Sequence, residues 1–77
     1  MKTYRFKAQV ERDEDGRWGA WIEALPGCAA WGYTREEALS ALRDAAQAYI
    51  ADMADAGEEV PRPEVSVLEP PLVTVTL

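Results

Sequence analysis

The chain has 77 residues, a net charge of −6 and a pI near 4.5, with apolar residues at 48% and seven aromatics spread along its length. That length allows one domain, residues 1–77, with a core small enough that a partner or a second copy is expected to help hold it. The acidic balance opposes a primary role on phosphate backbones, and one cysteine with no histidine excludes an internal disulfide, a cysteine zinc cluster and any Ser-His or Cys-His nucleophile pair.

In chain order, Tyr4, Phe6, Ala8 and Val10 alternate with Arg5, Lys7, Gln9 and Glu11, which predicts a half-buried strand. RDEDGR follows as a hairpin turn, with Gly16 as the residue able to take a positive φ. Trp18, Ala20 and Ile22 form the apolar face of a second strand, while Gly19, Trp21 and Glu23 point the other way. Pro26 and Gly27 turn the chain, Cys28–Trp31 reads as a short third strand, and Gly32 ends it.

Thr34 is predicted to cap a helix, with Glu37 three residues on completing a capping box and Tyr33 placed to pack on Ala38. Ala38, Leu39, Leu42, Ala45, Ala46, Tyr49, Ile50 and Met53 then recur at spacings of three and four, one apolar stripe on a helix of about 20 residues. Gly57 stops it. EEVPRPEVSVLEPP is a connection whose prolines favour extended backbone, and LVTVTL closes the chain as a fourth strand.

The order β-β-β-α-β predicts an α+β fold. Its sheet is expected to be four-stranded and mixed, in the order 3-2-1-4, with the last strand brought back parallel beside the first by a right-handed crossover. One helix covers one face of that sheet and leaves the other open.

Candidate chemistry is sparse. Cys28, small and set between Gly27 and Ala29, reads as a core filler under the helix start, since a reactive thiol needs an electropositive setting. Asp13, Glu14 and Asp15 crowd a solvated hairpin tip without the spacing of a calcium loop. No catalytic residue, metal site or cofactor is expected. By alternation Trp21 and Trp31 fall on the open face, and each tryptophan buries on the order of 150–250 Å² when covered. They are read as a contact surface for a second copy or a protein partner, with Arg5, Lys7 and Glu23 as its polar rim.

The ordered set Leu25-Pro26-Gly27-Cys28, Gly32-x-Thr34, Glu37-Ala38, and after the helix Gly57 and Val60-Pro61-x-Pro63, resembles the HicB-type antitoxin family of bacterial toxin–antitoxin pairs. The resemblance implies a partial RNase H fold without nuclease activity, and Pro26, Gly27, Cys28, Gly32, Thr34, Glu37, Gly57 and Pro61 are its motif positions. It implies binding to a small basic HicA-type toxin that cleaves mRNA. Many family members add a C-terminal DNA-binding module; none follows here before Leu77, so DNA is not an expected partner of this chain alone.

These readings converge on an antitoxin that neutralises its toxin by binding, not an enzyme, acting as a homodimer or higher homo-oligomer. A nuclease would need carboxylates converging on a metal pair, one of them on the first strand, where the inward positions are Tyr4, Phe6, Ala8 and Val10. The alternative is a stand-alone oligomeric regulatory or nucleic-acid-associated protein of the same fold without a toxin. With no run long enough for a membrane span and no signal segment in MKTYRF, the expected location is the cytoplasm.

Overall fold

The computed structural model describes residues 2–61 and 70–77. Pro63, the last position of the family motif, and most of the proline-rich connection lie outside them. The elements are β1 (Thr3–Lys7), β2 (Gln9–Arg12), β3 (Trp18–Trp21), β4 (Ala29–Gly32), α1 (Arg35–Asp55) and β5 (Leu72–Thr76). The α+β class matches expectation, but among the described residues there are five strands and not four, because the first alternating run makes two, and the single four-stranded sheet is absent. The strands form two sheets, β2-β3-β4 and β1-β5.

The division falls inside the first alternating run. Apolar and polar residues alternate without interruption from Tyr4 to Glu11, but the pairing partner changes at Ala8. Up to that point the strand pairs with β5, and the Ala8 N–H donates to the Pro71 carbonyl at 2.9 Å. Pro71 has no N–H to extend the ladder. From Gln9 onward the partner is β3, which has turned away beyond Trp21 because Leu25 N–H bonds back to the Ile22 carbonyl. Ala8 is buried at this handover.

A second correction concerns direction. The last strand does lie against the first, but antiparallel, with Thr3 opposite Thr76 and Lys7 opposite Leu72. Every pairing among the described residues is antiparallel, so the sheets are not mixed. The crossover rule governs chains that enter the last strand at the helix's far end. Here Glu58, Glu59 and Val60 leave the helix beside Lys2 and Tyr4, at the start of β1, whereas Pro71 meets Ala8 beyond its end. The chain thus leaves the helix at one end of β1 and enters β5 at the other, so β5 runs opposite to β1.

Helix α1 packs over β4, β3 and β5. Ala38, Leu42, Ala46 and Ile50 are fully buried at i, i+4, i+8 and i+12, and Leu39, Ala45, Tyr49 and Met53 flank them, which is the stripe read from the sequence. Opposite stand Phe6, Ala20, Ile22, Leu25, Cys28, Val73 and Val75. The Thr34 Oγ1 accepts from the Glu37 N–H at 3.0 Å, half of the expected capping box. Thr34→Ala is expected to cost about 1 kcal/mol; an unchanged urea midpoint would show that the cap contributes nothing. At the other end Gly57 takes φ +73, with Gly57 N–H bonded to Ala54 and Glu58 N–H to Met53, a Schellman stop.

The Leu25–Cys28 corner is a type II turn. Cys28 N–H donates to the Leu25 carbonyl at 2.9 Å, with Pro26 at the second position and Gly27 at φ +82 in the third. Leu25 and Cys28 point into the core from its two ends, and the Tyr49 hydroxyl donates to the Pro26 carbonyl at 2.9 Å. The turn is thereby pinned to the middle of the helix.

Candidate functional site: the uncovered sheet face

The side of β2-β3-β4 away from the helix carries the residues that alternate with the core. On β3 these are Gly19 and Trp21; on β4 they are Ala29 and Trp31. Trp21 stands opposite Ala29 and Trp31 opposite Gly19, so the two tryptophans occupy diagonal positions on neighbouring strands. Trp31 is 54% exposed and Trp21 is half-buried. A Cβ added at Gly19 would meet nothing within 4 Å, so the floor between the two rings is open.

Two residues outside the expected rim complete the surface. Tyr33, 69% exposed, does not sit down over the helix start as a staple; its ring stands edge-on to Trp31, with centroids 5.3 Å apart and planes at 83°. The Arg17 guanidinium lies 5.4 Å from the Trp31 ring centroid. Asp15 holds it there, accepting from Arg17 Nε at 2.7 Å and from the Arg17 backbone N–H at 3.0 Å. The same bonds hold the Asp15 carboxyl below its usual range and raise Arg17 further. Because both groups are open to water, the pair orients Arg17 more than it stabilises the fold. Continuing the alternation through Gly32 would have placed Tyr33 beside Trp31; the helix-cap reading hid it.

The expected rim residues are dispersed. Arg5 and Lys7 lie on β1, opposite Thr74 and Leu72, in the other sheet. Arg5 is exposed, whereas Lys7 is half-buried and engaged within the chain. Glu23 is exposed in the turn after β3. The face that gathers exposed aromatic area is thus Trp31, Tyr33 and Arg17, with Trp21 next to them.

Among the described residues no three His, Cys, Asp or Glu side chains cluster to hold a metal ion. Cys28 is 4% exposed, and burial pushes its thiol up, the reverse of an activated nucleophile. Among the described residues no helix is long and apolar enough to cross a membrane.

The chain is similar in sequence and in fold to known proteins. Residues 6–70 match the family described as the HicB-like antitoxin of bacterial toxin–antitoxin systems. The chain is 36% identical over 58 residues to the UPF0150 protein Ta0767 of Thermoplasma acidophilum, covering 75% of this chain and 84% of that one. It is 30% identical over 66 residues to the UPF0150 protein ssr1765 of Synechocystis sp., covering 86% and 84%. Its fold is similar to the N-terminal domain of the Burkholderia pseudomallei antitoxin HicB, with a TM-score of 0.73 at 22% identity over 95% of this chain and 96% of that one. A chain of the HicA3 and HicB3 toxin–antitoxin complex aligns with a TM-score of 0.57 at 16% identity, covering 97% and 96%. The type II Pro-Gly corner with its buried cysteine, the Thr34 cap and the Gly57 stop are the local structures that the motif positions encode, and with the match over residues 6–70 they place the chain in the HicB-like antitoxin family.

Proposed function

We propose that this protein neutralises a small HicA-type, mRNA-cleaving toxin by direct binding in the cytoplasm, with no cofactor and no catalysis of its own. The observation that carries the reading is the exposed Trp31–Tyr33 pair on a sheet face that no described element covers, in a domain of an antitoxin family. Wetting that much aromatic surface forgoes burial worth roughly 25 cal/mol per Å². Contact with a partner recovers it. The alignment with a chain of a toxin–antitoxin complex supports a toxin as that partner. The net charge of −6 favours fast encounter with a basic protein, at a rate that falls as salt rises. Arg17, stacked on Trp31, borders the contact, and a homodimer is the natural assembly for so small a core.

Co-expression with a small basic HicA-type protein from a neighbouring reading frame tests the proposal. The chain should restore growth and co-elute with the toxin. RNA incubated with the chain alone, with or without Mg²⁺, should remain intact. Failure to rescue growth, or metal-dependent cleavage by the chain alone, would sink the binding-only reading.

A further inference from the structure

β4 is an edge strand, and its outer edge is unusually plain. Its sequence, Ala29-Ala30-Trp31-Gly32, holds no charge and no proline, the devices that normally blunt an open edge. The far edge strand of the other sheet is treated differently: there the Gln47 side chain reaches over from the helix and donates to the Thr76 carbonyl of β5 at 2.8 Å.

The ladder shows which β4 groups are unpaired. Ile22 N–H donates to the Cys28 carbonyl, and Ile22 and Cys28 stand opposite each other in the β3–β4 register. By the two-residue alternation of an antiparallel ladder, Ala30 and Gly32 then bond to β3, and the N–H and C=O of Ala29 and Trp31 face outward. Among the described residues nothing pairs with them.

A shallow, largely open groove of about 350 Å³ lies beside this edge, lined by Trp31, Gly32, Tyr33, Ser40 and Ala41 with the acidic residues Glu37 and Asp44. Aromatic faces beside carboxylates form a site for a cation, and a guanidinium suits it best because it both stacks and hydrogen-bonds. Trp31 already holds one guanidinium, that of Arg17. A second copy of this chain is the poorer occupant: pairing β4 with β4 across a two-fold would bring Glu37 and Asp44 of each copy toward those of the other.

We propose that the outer edge of β4 is a strand-addition site for an extended, cationic segment of a protein partner. The segment's backbone pairs with Ala29 and Trp31, and one of its arginine side chains enters the groove between the Trp31–Tyr33 pair and the Glu37 and Asp44 carboxylates. Backbone pairing supplies affinity and the groove supplies selectivity. The proposal rests on the antitoxin reading, with the toxin as the basic partner.

The test compares toxin Kd for the wild type and three variants, each checked for folding by its thermal melt. Ala29→Pro removes an outward donor while leaving the bonds to β3 intact. Glu37→Lys with Asp44→Lys reverses the groove. Asp52→Lys with Asp55→Lys makes the same change in net charge near the end of the helix. The first two should each raise Kd about tenfold or more, and the third less than about threefold. Equal effects from the two charge-reversal pairs, or a folded Ala29→Pro variant that binds as wild type, overturns the strand-addition site and leaves the antitoxin reading standing. Should Ala29→Pro fail to fold, the charge pairs decide. A wild type that binds no toxin removes both.

Discussion

Gly32→Ala is expected to remove about 3 kcal/mol from a domain whose total stability is of that order. A Cβ at Gly32 would lie 2.5 Å from the Ala38 nitrogen, 2.6 Å from the Glu37 Cβ and 2.8 Å from the Glu37 carbonyl carbon. Two of these three atoms are helix backbone, which has no rotamer to change. Relief requires the first turn of α1 to lift off β4, and Ala38 and Leu42, both fully buried, move with it. Gly19→Ala on the next strand is the control. Its Cβ meets nothing, and alanine in a strand interior gains roughly 0.5–1 kcal/mol over glycine through the unfolded chain. Urea melts of both variants should move in opposite directions. A Gly32→Ala midpoint within error of wild type would mean that the helix start is not held against β4 as described.

Trp31→Ala should weaken toxin binding by about 2 kcal/mol, some thirtyfold, while leaving the thermal midpoint nearly unchanged. The ring is more than half exposed in the free chain, so little of its burial is spent on folding. Its removal also frees Tyr33 and Arg17, the two groups ordered against it, so the loss should appear mainly as a faster off-rate. Calorimetric titration with kinetics on immobilised toxin would read both quantities. Unchanged affinity would exclude this corner of the molecule from the interface.

What was legible in the sequence was whatever local chemistry decides. The cap at Thr34, the stop at Gly57, the Pro26-Gly27 turn and the buried stripe from Ala38 to Ile50 each follow from residues within a few positions of one another. The break at Ala8 was not legible, because both halves of the run alternate identically and only the choice of neighbour differs. The direction of β5 depended on the path of a long connection, about which periodicity says nothing. The role of Gly32 as the seat of the helix and the gathering of Arg17 and Tyr33 around Trp31 are likewise matters of approach between elements. Alternation put Trp21 and Trp31 on the side of the sheet away from the helix, where they stand, but of the polar residues named with them Arg5 and Lys7 lie on β1 in the other sheet.

The antiparallel seam between β1 and β5 ties the two ends of the chain together, with Lys2 and Leu77 exchanging both backbone bonds at 2.9 and 2.8 Å. Those partners are separated by nearly the whole polypeptide, so in the unfolded chain the seam is the contact of greatest sequence separation and the one with the highest closure cost. The helix and the β2-β3-β4 meander need only short-range encounters. Topology therefore predicts an order, in which the meander and helix form from neighbours and the five pairs of the terminal seam close last; stopped-flow refolding of a β5 variant such as Val75→Ala should then change the unfolding rate more than the folding rate.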